Sequence, residues 1–242
     1  MDNVINITDL KKSFNGVAVL KGLSLALKKG ENLVVVGKSG QGKSVSIQCV
    51  AGMIVPDEGK IFVLDQEIQN ISSAELKKLR TKIGFLFQHG ALYDSMTVRE
   101  NLAFPLKRVL HITDLNEIES RSKQALEDIG LAEIIDQMPS DLSGGQRKRL
   151  ALARMLIVNP SIILYDEPTT GLDTVTSKEI SMLIRSIQKK YNASSIIITH
   201  DMSCARLTAD KIIVMHEGKC FAEGSYDELE NSSDPFICSF FK

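Results

Sequence analysis

The segment GKSGQGKS, which begins at Gly37, limits more strongly than any other feature what this chain can fold into. It follows the apolar run NLVVV, which is typical of a strand buried on both faces, and it precedes a helical pattern. Gly37, Gly40 and Gly42 allow backbone amides to surround phosphate oxygens, Lys43 reaches the β and γ phosphates, and Ser44 ligates magnesium. This order of strand, loop and helix predicts an α/β fold with a nucleotide-phosphate site.

Strands and helices alternate through most of the chain, which predicts a mostly parallel sheet covered by helices. The first thirty residues differ, because VINIT and VLKGLSLAL predict antiparallel strands in which Leu23, Leu25 and Leu27 share one face. The other predicted elements are a helix at 43–51, the strand KIFVL, a helix at 74–79, the strand IGFLF, a helix at 143–158, the strand SIILYD, the helix TSKEISMLIRSIQKK, the strand SSIIITH, a short helix after Asp201 and a hairpin that turns at Glu217-Gly218.

One region lacks any strand signal. From residue 97 to residue 136 leucines and isoleucines recur three and four positions apart, and this predicts helical structure throughout. We therefore expect a single domain over 1–242, with a helical subdomain at 89–158 that contains the motif LSGGQ. The catalytic core with its antiparallel β elements is expected at 1–88 and 159–242.

Composition limits the partners and the compartment. The 242 residues suffice for a substantial core, and 29 lysines and arginines against 30 acidic residues leave no basic field for nucleic acid, so we expect no nucleic-acid partner. The four cysteines stand far apart, which favours reduced thiols over a disulfide frame or a zinc site. No signal-peptide pattern and no apolar run of about 18 residues occurs. We therefore expect any membrane role to act through another subunit.

Polar residues close three apolar strands whose carboxyl ends the predicted fold brings to one edge of the sheet. ILYDEP ends in Asp166, which can support a metal, and Glu167, which can polarise the attacking water. SIIITH ends at His200, and IGFLFQ ends at Gln88, whose amide carbonyl can reach the metal or the water. The other three histidines have no such placement and are interpreted as surface or core residues: His89, His111 and His216.

The motif LSGGQ predicts a second anion site. Ser143, Gly144 and Gly145 open a long helical pattern, and the free N–H groups and dipole of a helix N-terminus favour negative charge. The chain already has a complete phosphate loop around Lys43. A second site makes sense if it binds the γ phosphate of a nucleotide that another copy of the protein holds.

These motifs, in this order and at these spacings, resemble the ATP-binding cassette of ABC transporters over essentially the whole chain. The resemblance rests on GKSGQGKS, Gln88, LSGGQ, ILYDEP, GLD at 171–173 and His200. The family fold is a P-loop NTPase nucleotide-binding domain with a RecA-like core, an antiparallel β subdomain and a helical subdomain. The resemblance implies hydrolysis of ATP with Mg²⁺. It also implies a head-to-tail homodimer, in which each ATP lies between the P-loop of one copy and the LSGGQ helix of the other.

The resemblance assigns a role to each matching residue. Glu167 would be the base, with His200, Gln88 and Lys43 as further catalytic residues. Asp173 would signal across the dimer, and the segment TGLDT keeps it although S-A-L-D-P is commoner in relatives. Magnesium would be held by Ser44, Gln88 and Asp166. Phe14 would stack on adenine, and the other nucleotide-binding residues would be Gly37, Ser39, Gly40, Gln41, Gly42, Lys43, Ser44, Val45 and Asp173, with Ser143, Gly144, Gly145 and Gln146 serving the partner's ATP.

A narrower resemblance lies in QHGALYDSMTVRENLAFPL at 88–106. It is similar to the segment after the Q-loop in the ATPase subunits of MCE/Mla-type phospholipid transporters, which maintain lipid asymmetry. This similarity implies transmembrane permease partners, an MCE-domain substrate-binding protein and a peripheral location on the cytoplasmic face of the inner membrane. Leu92, Tyr93 and Met96 are then expected to meet the permease, and general cassette packing is the alternative explanation.

Three other functions fit the same motifs. The first is an ABC ATPase of another transporter class. The second is a soluble assembly or scaffold ATPase that uses the same fold in iron–sulfur cluster biogenesis or DNA maintenance. DNA-repair members usually interrupt the cassette with coiled coils or zinc modules, and no such insertion occurs here. A single-copy nucleotide kinase would leave the LSGGQ helix without a task.

Overall fold

Residues 3–241, the part of the chain that the computed structural model describes, form two β-sheets with helices around them. The smaller sheet is antiparallel and contains β1 (Asn3–Phe14), β2 (Val17–Lys28), β4 (Glu58–Val63) and β5 (Gln66–Glu67). Its strands lie in the order β2-β1-β4-β5. As predicted, Leu23, Leu25 and Leu27 share its buried face.

The larger sheet positions the functional groups. It contains β3 (Asn32–Val36), β6 (Ile83–Leu86), β7 (Ile162–Asp166), β8 (Ser194–Ile198), β9 (Lys211–His216) and β10 (Lys219–Gly224). The order is β10-β9-β3-β8-β7-β6, and all neighbours are parallel except β10 with β9. Every residue of β3, β7 and β8 is buried, which is typical of a parallel sheet covered on both faces. The carboxyl ends of these three strands therefore meet at one edge.

The helices of the described residues are α1 (Lys43–Val50), α2 (Ser73–Arg80), α3 (Val98–Arg108), α4 (Leu115–Asp128), α5 (Gly144–Leu156), α6 (Thr174–Tyr191), α7 (Met202–Thr208), α8 (Tyr226–Glu230) and α9 (Pro235–Phe241). Two short 3₁₀ helices cover Ala132–Ile134 and Pro139–Asp141.

Buried side chains fall into three clusters. One fills the space between the two sheets, and a second lies on the opposite face of the larger sheet. A third joins α3, α4 and α5 through residues such as Leu102, Leu126 and Leu150. Helix α5 contributes to two of them, because its Leu152 packs in the second cluster and its Leu150 in the third. The helical region thus has its own core, while the boundaries 89 and 158 stay a prediction.

The structure differs from the sequence-based expectation in several elements. Residues 97–136 are not helical throughout, because the chain leaves α3 after Arg108 and starts α4 only at Leu115. Asp114 accepts the N–H of Asn116 at 2.9 Å and so caps a new helix. His111, with a φ of 55°, lies in the left-handed region that interrupts helices. Strand β5 and helices α8 and α9 were not predicted, since they are too short to show a period.

Asn101 fixes the segment that follows β6. This side chain is fully buried in α3. Its Oδ1 accepts the N–H of Tyr93 at 2.9 Å, and its Nδ2 donates to the carbonyls of Tyr93, Met96 and Thr97, each at 3.0 Å. One amide group therefore holds a whole loop in place.

We expect Asn101→Ala to lower the free energy of unfolding by about 2–3 kcal/mol, because it leaves several partly buried backbone groups without a partner. Urea denaturation of the wild type and the variant measures this difference. Asn116→Ala, which truncates an exposed asparagine on α4, is the matched control and should change stability by less than about 0.5 kcal/mol. Equal effects of the two substitutions would contradict the conclusion that the Asn101 side chain holds this loop in place.

Candidate functional site

The glycine-rich loop runs from the end of β3 into α1, at the edge where the parallel strands end. Gly37 has no room for a side chain, because a Cβ there would lie 2.7 Å from the carbonyl oxygen of Met215. Gly42, at the N-terminus of α1, has a φ of 90°, which other residues rarely adopt. The loop therefore turns its backbone amides toward the N-terminal end of α1, where an anion is favoured.

Lys43 is buried, with 7% of its surface exposed. Its Nζ donates to the carbonyls of Gly37 at 2.6 Å and Lys38 at 3.0 Å. Burial lowers the pKa of this ammonium, and the negative charges of Glu167 and Asp166 oppose that effect. A phosphate beside Lys43 would supply the counter-charge that a buried cation needs.

Ser44 and Asp166 form a pair of hard oxygen donors. The Ser44 hydroxyl donates to Oδ1 of Asp166 at 2.7 Å, and Asp166 is buried at the end of β7. Magnesium prefers oxygen ligands and usually takes only one or two from the protein, with water and phosphate completing the shell. These two residues therefore fit a magnesium site beside the phosphate loop.

Glu167 follows Asp166 with a strained backbone, since its φ of 50° is uncommon for a residue other than glycine. Its N–H donates to the carbonyl of Ile198 at 2.9 Å, which ties it to β8. Its Oε2 lies 2.8 Å from Nδ1 of His200 and accepts the hydroxyl of Thr170 at 3.2 Å. His200 and Thr170 therefore orient the Glu167 carboxylate.

These groups surround one cleft with a volume of about 710 Å³. The structure brings ten predicted residues to its lining: Gly37, Ser39, Gly40, Gly42, Lys43, Ser44, Val45, Gln88, Glu167 and His200. Asp166 lies directly behind them through Ser44. Gln41 and Phe14 are not among the lining residues. Gln41 accepts the N–H of Glu217 in the β9–β10 turn, and Phe14, which is 41% exposed, has the ammonium of Lys12 at 5.4 Å from its ring centre.

The LSGGQ residues form a different cleft, of about 740 Å³. Ser143 caps α5, because its Oγ accepts the N–H of Gln146 at 3.3 Å while Oε1 of Gln146 accepts the N–H of Ser143 at 2.9 Å. The Ser143 hydroxyl hydrogen stays available to a ligand. The lining includes Ser143, Gly144, Gly145, Gln146 and Asp173, and none of the described residues that line this cleft also lines the P-loop cleft.

Asp173 caps α6 at the rim of this second cleft. Its carboxylate accepts the N–H groups of Val175 at 3.0 Å and Thr176 at 3.1 Å, and the Thr176 hydroxyl at 2.6 Å. The hydrogen bond from the Thr176 side chain is the main cause that lowers the pKa of Asp173. The residue therefore stays anionic while it fixes the start of α6 beside Ser143.

Sequence reasoning assigned no role to several residues at these sites. Val19, Thr170 and Phe240 line the P-loop cleft, and Lys148 donates to the backbone carbonyl of Gln88 at 2.7 Å. The first three are brought in by tertiary packing and carry no local signal. Lys148 did carry one, because it falls on the face of α5 that also buries Leu152 and Met155. A lysine in an apolar stripe is unusual.

Membrane-spanning helices and reactive cysteines are two further features to consider in residues 3–241. No helix of this part combines the length and apolarity that crossing a bilayer needs. All four cysteines are unpaired, as predicted, and burial raises the pKa of the Cys49 and Cys204 thiols to about 11. These two thiols therefore stay protonated at neutral pH and unreactive.

Comparison with known proteins identifies the family. A family model described as “ABC transporter” matches residues 20–170, which is more than half of the chain. The chain belongs to the ABC transporter family. The predicted fold and ATPase class are therefore confirmed.

Relatives of this cassette differ in their named tasks. The methionine import ATP-binding protein MetN of Rhizobium johnstonii is 39% identical over 225 residues, which cover 92% of this chain and 61% of MetN. Protein TRIGALACTOSYLDIACYLGLYCEROL 3, chloroplastic, of Arabidopsis thaliana is 36% identical over 256 residues, which cover 99% of this chain and 73% of that protein. This chain therefore spans about 61% of the length of MetN.

The solved structures agree with the fold. A structure described as a dimeric post-hydrolysis state of the ATP-binding cassette MJ0796 bound to ADP and Pi superposes with a TM-score of 0.84. It is 30% identical, and the match covers 92% of this chain and 98% of MJ0796. The family prediction is thus confirmed, while the narrower MCE/Mla type and the role of each site residue remain proposals.

We expect Glu167→Gln to hydrolyse ATP about 100-fold more slowly or worse, because the amide cannot accept a proton from water. Nucleotide binding should persist, since Lys43 and the loop amides are unchanged. The variant should dimerise in ATP and magnesium, as measured by size exclusion with light scattering. Glu127→Gln, an exposed change on α4, is the control and should keep the wild-type rate. A monomeric Glu167→Gln protein in ATP would count against the assignment.

Proposed function

We propose that this cassette hydrolyses ATP at two composite sites between paired copies and that this hydrolysis drives phospholipid transport of the MCE/Mla type. The observation that carries the paired arrangement is the separation of the P-loop cleft from the Ser143 cleft within one chain. An anion-binding helix end whose cleft shares no lining residue with the P-loop cleft of its own chain suits a nucleotide held by another copy.

The chemistry follows from the geometry of the P-loop cleft. Lys43 and the loop amides hold the phosphates, and Glu167, fixed by His200 and Thr170, accepts a proton from the attacking water. The water oxygen bonds to the γ phosphorus, and the bond to the bridging oxygen breaks with its electron pair on ADP. When bound, Mg²⁺ neutralises charge on the β and γ phosphates. His200, hydrogen-bonded to the base, is placed to contact the transferred phosphoryl group.

A composite site predicts complementation between two inactive chains. Lys43→Ala and Ser143→Arg should each abolish most ATPase activity. Mixed dimers place both lesions at one interface and leave the other intact, so mixing the two proteins should restore a measurable fraction of the wild-type rate. The rate of the mixture is compared with that of each protein alone at equal total concentration.

Crosslinking tests the same interface without any need for turnover. Ser39→Cys in one copy and Ser143→Cys in the other should form a disulfide in the presence of ATP under mild oxidation. The wild-type chain is the control for its own four cysteines. A Ser39–Ser143 pair that never crosslinks would contradict the composite site.

The segment after β6 offers a surface for a membrane subunit. The Tyr93 side chain, 37% exposed, lies 4.9 Å from the Phe104 ring centre and 4.4 Å from the guanidinium carbon of Arg154. Met96 is half-buried beside it, whereas Leu92 packs into the second and third clusters and anchors the segment. We refer to Tyr93, Met96, Phe104 and Arg154 as the docking surface, because a rim of aromatic and polar groups suits an amphipathic helix.

Two observations support a lipid as the cargo class, and the first of them supports phospholipid. The segment 88–106 resembles that of MCE/Mla-type ATPases, and one relative that matches almost the whole chain carries the name of a galactolipid. A methionine importer among the relatives is the observation in favour of another transporter class. The proposal includes a permease and an MCE-domain protein as partners, and a location on the cytoplasmic face of the inner membrane.

We expect Tyr93→Asp combined with Met96→Asp to release the cassette from its membrane complex, because docking of an apolar helix would bury two negative charges without a partner. Affinity purification of the tagged chain from native membranes, with mass spectrometry of proteins and lipids, measures this loss. Binding of ATP at the P-loop should stay within about threefold of the wild type. Leu115→Asp, which adds a charge at a 70% exposed leucine on α4, is the control and should keep the complex.

The proteins recovered with the wild type separate the candidate functions. A permease with an MCE-domain protein and phospholipid supports the proposal. A permease with an amino-acid or other solute receptor would replace the lipid assignment and leave the cassette assignment intact. A wild-type chain that recovers no membrane protein would favour a scaffold ATPase.

A further inference from the structure

Among residues 3–241 only three formally charged side chains are buried, and two of them already have a task at the nucleotide. These two are Lys43 and Asp166, and the third is Lys148, with 6% of its surface exposed. A buried lysine is retained only where something compensates for the lost hydration. Lys148 is not used by the chemistry described above.

Lys148 has an unusual partner. Its Nζ donates to the backbone carbonyl of Gln88 at 2.7 Å, and within the described part of the chain no carboxylate lies within 4.0 Å of it. Burial lowers the pKa of this ammonium, and the more distant charges of Asp166 and Glu167 partly oppose that effect. The hydrogen-bond acceptor of this lysine is thus the backbone of a residue that lines the P-loop cleft.

The contact between Lys148 and the Gln88 carbonyl does not explain by itself why a lysine is buried here. Replacing buried charged groups with well-packed apolar side chains is often neutral or stabilising. The contact therefore calls for an explanation other than folding, and its position supplies one. It joins the residue that lines the P-loop cleft to the helix whose first turn carries Ser143.

We propose that Lys148 is a positioning residue, which holds the Gln88 backbone against α5 so that the Gln88 side chain stays at the phosphate end of the cleft. Because α5 begins at the Ser143 cleft, a shift of Gln88 toward a bound phosphate pulls on the same helix that carries the second anion site. Lys148 acts through Gln88 and touches neither the nucleotide nor the water.

A double-mutant cycle tests this assignment. Lys148→Met keeps the length and the apolar stem of the side chain but removes its charge and its donor. We expect it to lower kcat about tenfold, because the Gln88 side chain is then held less firmly at the phosphate end of the cleft, with the Kd for ATP within about threefold of the wild type. Lys148→Arg, which keeps charge and donor, should recover most of the rate.

The decisive measurement is the Gln88→Ala background. If Lys148 acts through Gln88, adding Lys148→Met to Gln88→Ala should change kcat by less than about twofold, because the two residues form one unit. A further tenfold fall would assign Lys148 an independent role and overturn the proposal, as would a wild-type kcat in Lys148→Met alone. Lys190→Met, which removes a lysine that bonds Asp128 at 2.6 Å on the surface, is the control for a lost inter-helix contact.

Stability is followed in parallel. Thermal unfolding of Lys148→Met should occur at or above the wild-type temperature, since an apolar side chain replaces a buried charge. If Lys148→Met does not fold, Lys148→Leu replaces it in the same cycle, because it also removes both the charge and the donor. An additive effect of Lys148→Leu with Gln88→Ala would equally overturn the proposal.

Discussion

The phosphate loop, Asp166, Glu167 and His200 all depend on the parallel pairing of β3, β8 and β7 as neighbouring strands. The register pairs Val35 with Ile198 and Ile198 with Asp166, so the phosphate loop, the two acids and the His200 segment start from one edge. Short contacts then complete the arrangement. The hydroxyl of Ser44 reaches Asp166, and the backbone N–H of Glu167 reaches β8. A strand shifted by one residue would turn these side chains to the other face.

Charge is concentrated at this edge in an otherwise balanced protein. Two buried lysines and one buried aspartate lie within a chain whose net charge is −1. Hydration is withheld from Lys43, which lines the P-loop cleft, so this ammonium gains strongly from a nearby anion. The phosphates of a nucleotide are such anions. Burial of Lys43 therefore favours the occupied over the empty cleft.

Much of the site was predictable because its motifs are local in sequence. NLVVV with the GKSGQGKS that follows it, and ILYDEP, each combine an apolar strand with the polar residues after it, so residue type and the apolar run sufficed for Lys43 and Asp166. Thr170 and Phe240 were not predictable in this way, because separate elements carry them to the cleft. The break between α3 and α4 was missed because leucine spacing continues across it, while a left-handed residue ends the hydrogen bonding.

Helix α5 packs into two of the three hydrophobic clusters at once. A chimaera that exchanges the helical region between two cassettes must therefore disturb the packing of α5 on one side or the other. If the transplanted segment ends before Gly144, its side chains must pack against an α5 from the other protein. If the segment includes α5, that helix must pack against the sheet of the other protein. Module swaps in this fold thus succeed or fail by matching one helix on two sides, rather than by the choice of linker.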